Sequence, residues 1–153
     1  FLAGHNVIGE TFETCAPWNK VTEVIATAKE AAKKYHAELG LPGEWQSFIS
    51  SRVTQMYQSG VCIYFTFGYY HGGMDGATHG FESIYFNLKK AVVAAGGSVS
   101  HHHGIGKLRK PFIEDGTLWD EQAIAAVKAF KASIDPENVF AVQNNFMGLK
   151  ADK

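Results

Sequence analysis

Hydrophobic positions recur along this chain with two different periods, and the switch between them outlines the fold. Over residues 21–39, Val21, Val24, Ile25, Ala28, Ala32, Tyr35 and Leu39 fall at helical spacing, with Asn19 placed to cap the start and Gly40 and Pro42 to end it. A second stripe, Phe81, Ile84, Tyr85, Leu88, Val92 and Ala95, predicts a helix over residues 80–95, stopped by Gly96 and Gly97. A third carries Ile124, Val127, Phe130 and Ile134 and closes before Pro136. Thr117 and Asp120 ahead of it resemble a capping box.

Between the first two helices the period drops to two. In "VCIYFTFGYY" the odd positions Val61, Ile63, Phe65, Phe67 and Tyr69 form an apolar face, while Cys62, Tyr64, Thr66, Gly68 and Tyr70 form a more polar one. The odd face is expected to be core. "QSFISSRVTQMY" predicts a preceding strand, joined through a tight turn at Gln58, Ser59 and Gly60; "NVIGETFET" predicts another near the start. "SVSHHH" after Gly97 reads as a short fourth strand or an extended loop, and "HGGMDGATHG" (residues 71–80) as a mobile loop. Strands with no βαβ alternation and no dinucleotide fingerprint predict an α+β domain: an antiparallel sheet with helices packed on one face.

Composition narrows the function classes. The 153 residues are 46% hydrophobic and 19% charged with a net charge of -1, which fits a single globular domain and no nucleic-acid partner. The two cysteines, Cys15 and Cys62, form no Cys-x-x-Cys pair, so neither a disulfide framework nor a structural zinc site is expected, and a reducing compartment is. No apolar run approaches the ~20 residues of a membrane span, and no signal peptide is visible, so a soluble protein is expected. The chain opens on "FLAGHNVIGETFET" without an initiator Met, as a segment of a longer protein would.

The densest chemistry is "SVSHHHGIGKLRK", residues 98–110. An internal run of three histidines in a sequence with turn logic is no purification tag. If the segment is extended, alternation lets only His101 and His103 share an ion, and no carboxylate or His-x-x-x-His partner lies nearby in sequence, so no metal ligand is assigned. "GIGKL" also fails the phosphate-loop pattern, because His101 stands where its first Gly belongs and Leu108 where its hydroxyl belongs. Gly104 and Gly106 permit close backbone approach, and Lys107 and Arg109 can neutralise an anion or simply form a solvated cationic turn. Three adjacent imidazoles titrating near neutral pH point to a site of some kind.

Four stretches, "VIGETFETCAPW", "SRVTQMYQSGVCIYF", "GGSVSHHHGIGKLRK" and "IDPENVF", occur in an order that resembles the flavin-linked oxidases of the vanillyl-alcohol-oxidase type, in particular their alkyldihydroxyacetonephosphate synthase-like branch. The resemblance implies a carboxy-terminal cap or substrate domain with a ferredoxin-like sheet. Its partner would be an amino-terminal FAD-binding domain of the same protein, absent from this chain, and its cofactor FAD. It also implies a catalytic role for Tyr64 as general acid/base together with His101, His102 and His103, flavin contact through His102, His103 and Gly104, and substrate contact through Lys107, Arg109 and Arg52.

The implied reaction replaces the acyl chain of acyl-dihydroxyacetone phosphate by a long-chain alcohol, giving an ether and a fatty acid with no net redox change. A phenol titrates near ~10, so one acting as a base at neutral pH needs cationic or donor neighbours, which the histidines would supply. The alternatives are an FAD-linked oxidase of a small hydroxy acid such as glycolate or D-lactate, and a non-catalytic binding or oligomerisation module. The same resemblance implies a small-molecule or lipid substrate, peripheral membrane association of the full enzyme and a homodimer. A cytoplasmic location is expected for a bacterial-type protein, a peroxisomal one for a eukaryotic synthase.

Overall fold

The structure, a computed structural model, describes residues 2–42 and 47–140, the side chains of Leu2, Ala3 and Thr78 excepted. Gln46 of the expected strand and the tail "LKADK" lie outside the described residues. The chain divides into two compact units, Phe1–His103 and Gly104–Lys153.

In the first unit the elements are β1 (Val7–Pro17), α1 (Val21–Glu38), β2 (Phe48–Met56), β3 (Gly60–Tyr70) and α2 (Ala77–Ala94). The strands form one antiparallel sheet in the order β1-β3-β2. This is the α+β arrangement that the two periodicities predict, but the expected absence of a βαβ unit does not hold: α1 joins the parallel strands β1 and β2, and β3 lies between them, a split β-α-β connection. The odd residues of β3, from Val61 to Tyr69, are buried as expected and meet Phe12 and Ala16 of β1 and the apolar stripes of α1 and α2 in one core. The centre is aromatic: Phe12 stacks on Phe65 at 4.7 Å between ring centroids and meets Tyr85 of α2 edge-on at 6.1 Å.

Two helix starts in this unit differ from expectation. Asn19 does not cap α1; a 3-10 turn over Trp18–Lys20 leads into it, and Lys20 pairs with Glu23 at 2.6 Å in its first turn. Helix α2 starts at Ala77 rather than Gly80, because Gly76 at φ 77° turns the chain into it three residues earlier. Its other end matters more for the site. The Gly97 N–H donates to Val92 O and the Gly96 N–H to Val93 O, both at 3.0 Å, with Gly96 at φ 103°: a Schellman motif. A Cβ on Gly97 would stand 2.6 Å from Thr14 Oγ1 and 2.8 Å from Val92 Cγ1, so only glycine lets the chain leave the helix pressed against β1.

The second unit holds two single-turn helices, α3 (Gly106–Arg109) and α4 (Pro111–Glu114), and the longer α5 (Glu121–Ile134). Thr117 is not the cap of α5. Its N–H donates to Asp115 Oδ1 at 2.9 Å, while Asp120, in extended conformation, accepts from the Ala123 N–H at 2.7 Å. In "IDPENVF", Asp135 ion-pairs with Lys131 and accepts the N–H groups of Val139 and Phe140 at 2.9 and 3.0 Å. The Lys131 ammonium holds the Asp135 carboxyl below the usual carboxylate range, so this motif is a charge-anchored turn. Among the described residues, no helix is long and apolar enough to cross a membrane.

Candidate active site

The face of the sheet turned away from the helices carries the even residues of β3 and their cross-strand partners, Glu13 opposite Tyr64 on β1 and Arg52 opposite it on β2. The Tyr64 hydroxyl lies 3.1 Å from Thr11 Oγ1 and 3.3 Å from His103 Nε2. The Arg52 guanidinium stands over the Tyr64 ring at 5.3 Å, and the His102 ring stacks on it at 6.1 Å and 23°. A half-buried phenol is therefore held by a hydroxyl and an imidazole, with a permanent positive charge beside its ring.

The histidines arrive along the outer edge of β1. Cys15 accepts from the Ser98 N–H at 2.9 Å through its carbonyl, and its own N–H donates to Ser98 Oγ at 2.8 Å; Thr14 Oγ1 donates to Ser98 O at 2.7 Å. The segment "SVSHHH" thus lies where a fourth strand would pair, yet it forms bends instead of a ladder. The reason is a competing acceptor. The Glu13 carboxylate accepts from Ser100 Oγ at 2.8 Å and from the backbone N–H groups of His102 at 3.2 Å and His103 at 2.9 Å, all through Oε1, and this curls the chain over the sheet.

Glu13 is fully buried, and its counter-ion is Lys89 of α2, also fully buried, whose ammonium donates to Glu13 O and lies 3.5 Å from Oε2. Burial alone would raise the Glu13 pKa; the His103 N–H, the Lys89 charge and the Ser100 hydroxyl outweigh it and lower it to about 2. His103 Nδ1 is 3.8 Å from Glu13 Oε1, so this imidazole sits between the carboxylate and the phenol.

Of the expected site residues, the structure brings together Tyr64, Arg52, His101, His102 and His103. His101 Nε2 meets Tyr57 Oη at 2.8 Å, and its Nδ1 lies 3.0 Å from His102 Nδ1. Bends rather than an extended strand put the first two rings together, so the pairing of His101 with His103 expected from strand alternation does not hold. Gly104, Lys107 and Arg109 belong to the second unit. There Gly104 adopts φ 72°, Lys107 is exposed, and Arg109 is buried on α3 rather than part of a solvated cationic turn. Sequence reasoning missed Glu13, Lys89, Thr11 and Ser98. The one available signal was the carboxylate of Glu13 among hydroxyl and apolar neighbours in "GETFETC", on a strand whose pairing with Tyr64 the sequence does not display.

A family model described as "FAD linked oxidases, C-terminal domain" matches residues 1–143. The chain belongs to this family. As an FAD-linked oxidase C-terminal domain it is 38% identical over 140 residues to an alkyldihydroxyacetonephosphate synthase of Caenorhabditis elegans, covering 92% of this chain and 23% of that protein. The corresponding synthase of Trypanosoma brucei brucei is 29% identical over 143 residues, 91% of this chain and 22% of that protein. A solved structure of alkyldihydroxyacetonephosphate synthase shares the fold with a TM-score of 0.58 at 22% identity, over 90% of this chain and 21% of that one. The chain thus spans less than a quarter of the length of these relatives.

Proposed function

We propose that this domain forms the substrate-side wall of an FAD-dependent enzyme of the alkyldihydroxyacetonephosphate synthase type, with Tyr64 as the general acid/base. The observation that carries this reading is the Tyr64 hydroxyl, held between Thr11 and His103 on the open sheet face with Arg52 beside its ring. The level of identity to the nematode synthase over 140 residues supports the same substrate class.

In this reading Tyr64 takes a proton from the ester-bearing carbon of acyl-dihydroxyacetone phosphate and later returns one. His103 shares the proton through Nε2, and the Glu13 charge favours the imidazolium that results. Thr11 fixes the hydroxyl's direction, so the phenol needs no reorganisation when the substrate arrives. Arg52, exposed and next to the phenol, is the cation placed to meet a substrate phosphate; Lys107 and Arg109 are proposed as further anion contacts.

The residues fit a flavin in that His102 and His103 lie exposed on the turn beside the Tyr64 hydroxyl, where their imidazoles would line its ring system; Gly104 is proposed to let it approach. FAD supplies the electron sink that makes departure of the fatty acid and attack of the alcohol feasible. An amino-terminal domain of the same protein would hold most of it.

The test is an assay of the full-length flavoprotein with acyl-dihydroxyacetone phosphate and a long-chain alcohol. Formation of the alkyl ether with release of fatty acid supports the reading. Reduction of a dye by glycolate or D-lactate without ether formation would favour a hydroxy-acid oxidase instead.

A further inference from the structure

We infer that Cys62, His101 and His102 form a binding site for a zinc-class divalent cation. One ligand atom from each, the Cys62 sulfur and one nitrogen of each imidazole, lies within 4.8 Å of the other two. The two Nδ1 atoms of His101 and His102 are 3.0 Å apart with their rings nearly perpendicular at 83°. Two neutral imidazoles meeting nitrogen to nitrogen must place one proton between them, and a cation drawing on both lone pairs replaces that proton.

The surroundings suit a metal in three respects. Cys62 is fully buried and forms the floor, whereas His102 is exposed, so an ion reaches the site from solvent. The second nitrogen of His101 is hydrogen-bonded to the Tyr57 hydroxyl at 2.8 Å, the kind of outer contact that fixes a ligating ring. One sulfur and two imidazole nitrogens favour zinc-like over calcium- or magnesium-like ions, and three protein ligands leave a fourth tetrahedral position for water. Binding releases the thiol proton and any imidazole proton, so affinity rises with pH.

Cobalt(II) is the probe, titrated into the full-length flavoprotein. Its tetrahedral ligand-field bands lie at longer wavelength than flavin absorption, so they report the site whether or not the enzyme turns over. The expected result is one equivalent bound with an intense tetrahedral spectrum, displaced by Zn2+. Cys62→Ser and His102→Ala should each weaken binding at least about tenfold, and His79→Ala, at a surface histidine of α2, should leave it unchanged. His102→Ala alters an exposed side chain, so it decides the matter if Cys62→Ser does not fold. An octahedral spectrum only, or a tetrahedral one that survives His102→Ala unchanged, overturns the assignment.

Discussion

The Glu13 carboxylate accepts the His103 backbone N–H at 2.9 Å, so a buried acid on an edge strand fixes the turn that carries three adjacent histidines. The same carboxylate is neutralised from the other side of the strand by Lys89. Core, edge and site therefore share one buried ion pair.

Removing one partner of that pair should be costly, because the other charge stays buried. Lys89→Met is expected to destabilise the fold by about 3–5 kcal/mol, and the Glu13→Gln, Lys89→Met double variant by clearly less than the sum of the single changes. Denaturant unfolding of the full-length protein, the two single variants and the double variant closes this cycle. Additive losses would mean that the pair does not act as a unit.

Acid should unfold the domain through Glu13. Its folded pKa, about 2, lies below the ordinary glutamate value of about 4.3, so the unfolded chain binds the proton first as pH falls. The stabilisation is present above the unfolded value and is lost as pH drops from there toward the folded value, by roughly 3 kcal/mol in all. A pH series of unfolding free energies checks this, and Glu13→Gln should flatten the slope in that window.

Gly97→Ala should disturb the site from a distance. The added methyl would collide with Thr14 Oγ1 and Val92 Cγ1, at 2.6 and 2.8 Å, just before Ser98 docks on β1. A loss of about 1–3 kcal/mol is expected, together with faster hydrogen exchange at the Ser98 amide. Unchanged protection of that amide would show that the turn is not what seats the histidine segment.

Much of the fold was legible because each element has one dominant period. The odd residues of β3 and the stripe from Phe81 to Val92 declare their buried faces whatever packs against them. Helix ends were read less well, since Asn19 and Thr117 are good caps by residue type, but Lys20 and Asp120 hold the N-cap positions. The place of Tyr64 on the open sheet face was legible from strand parity. Glu13 was not: its role depends on the β1–β3 register and on a lysine 76 residues away, neither of which local sequence displays. The pairing of His101 with His102 was hidden for a related reason, because the carboxylate that bends their segment lies on another strand.

The central claim is that Tyr64 carries the proton, and Tyr64→Phe in the full-length flavoprotein tests it most directly. The change removes one hydroxyl held by Thr11 and His103, so stability should fall by no more than about 1 kcal/mol. Flavin absorbance should be retained, while the rate of exchanging acyl for alkyl chains should drop by about 10²–10⁴-fold. Near-normal turnover by a flavin-loaded Tyr64→Phe variant would contradict the account.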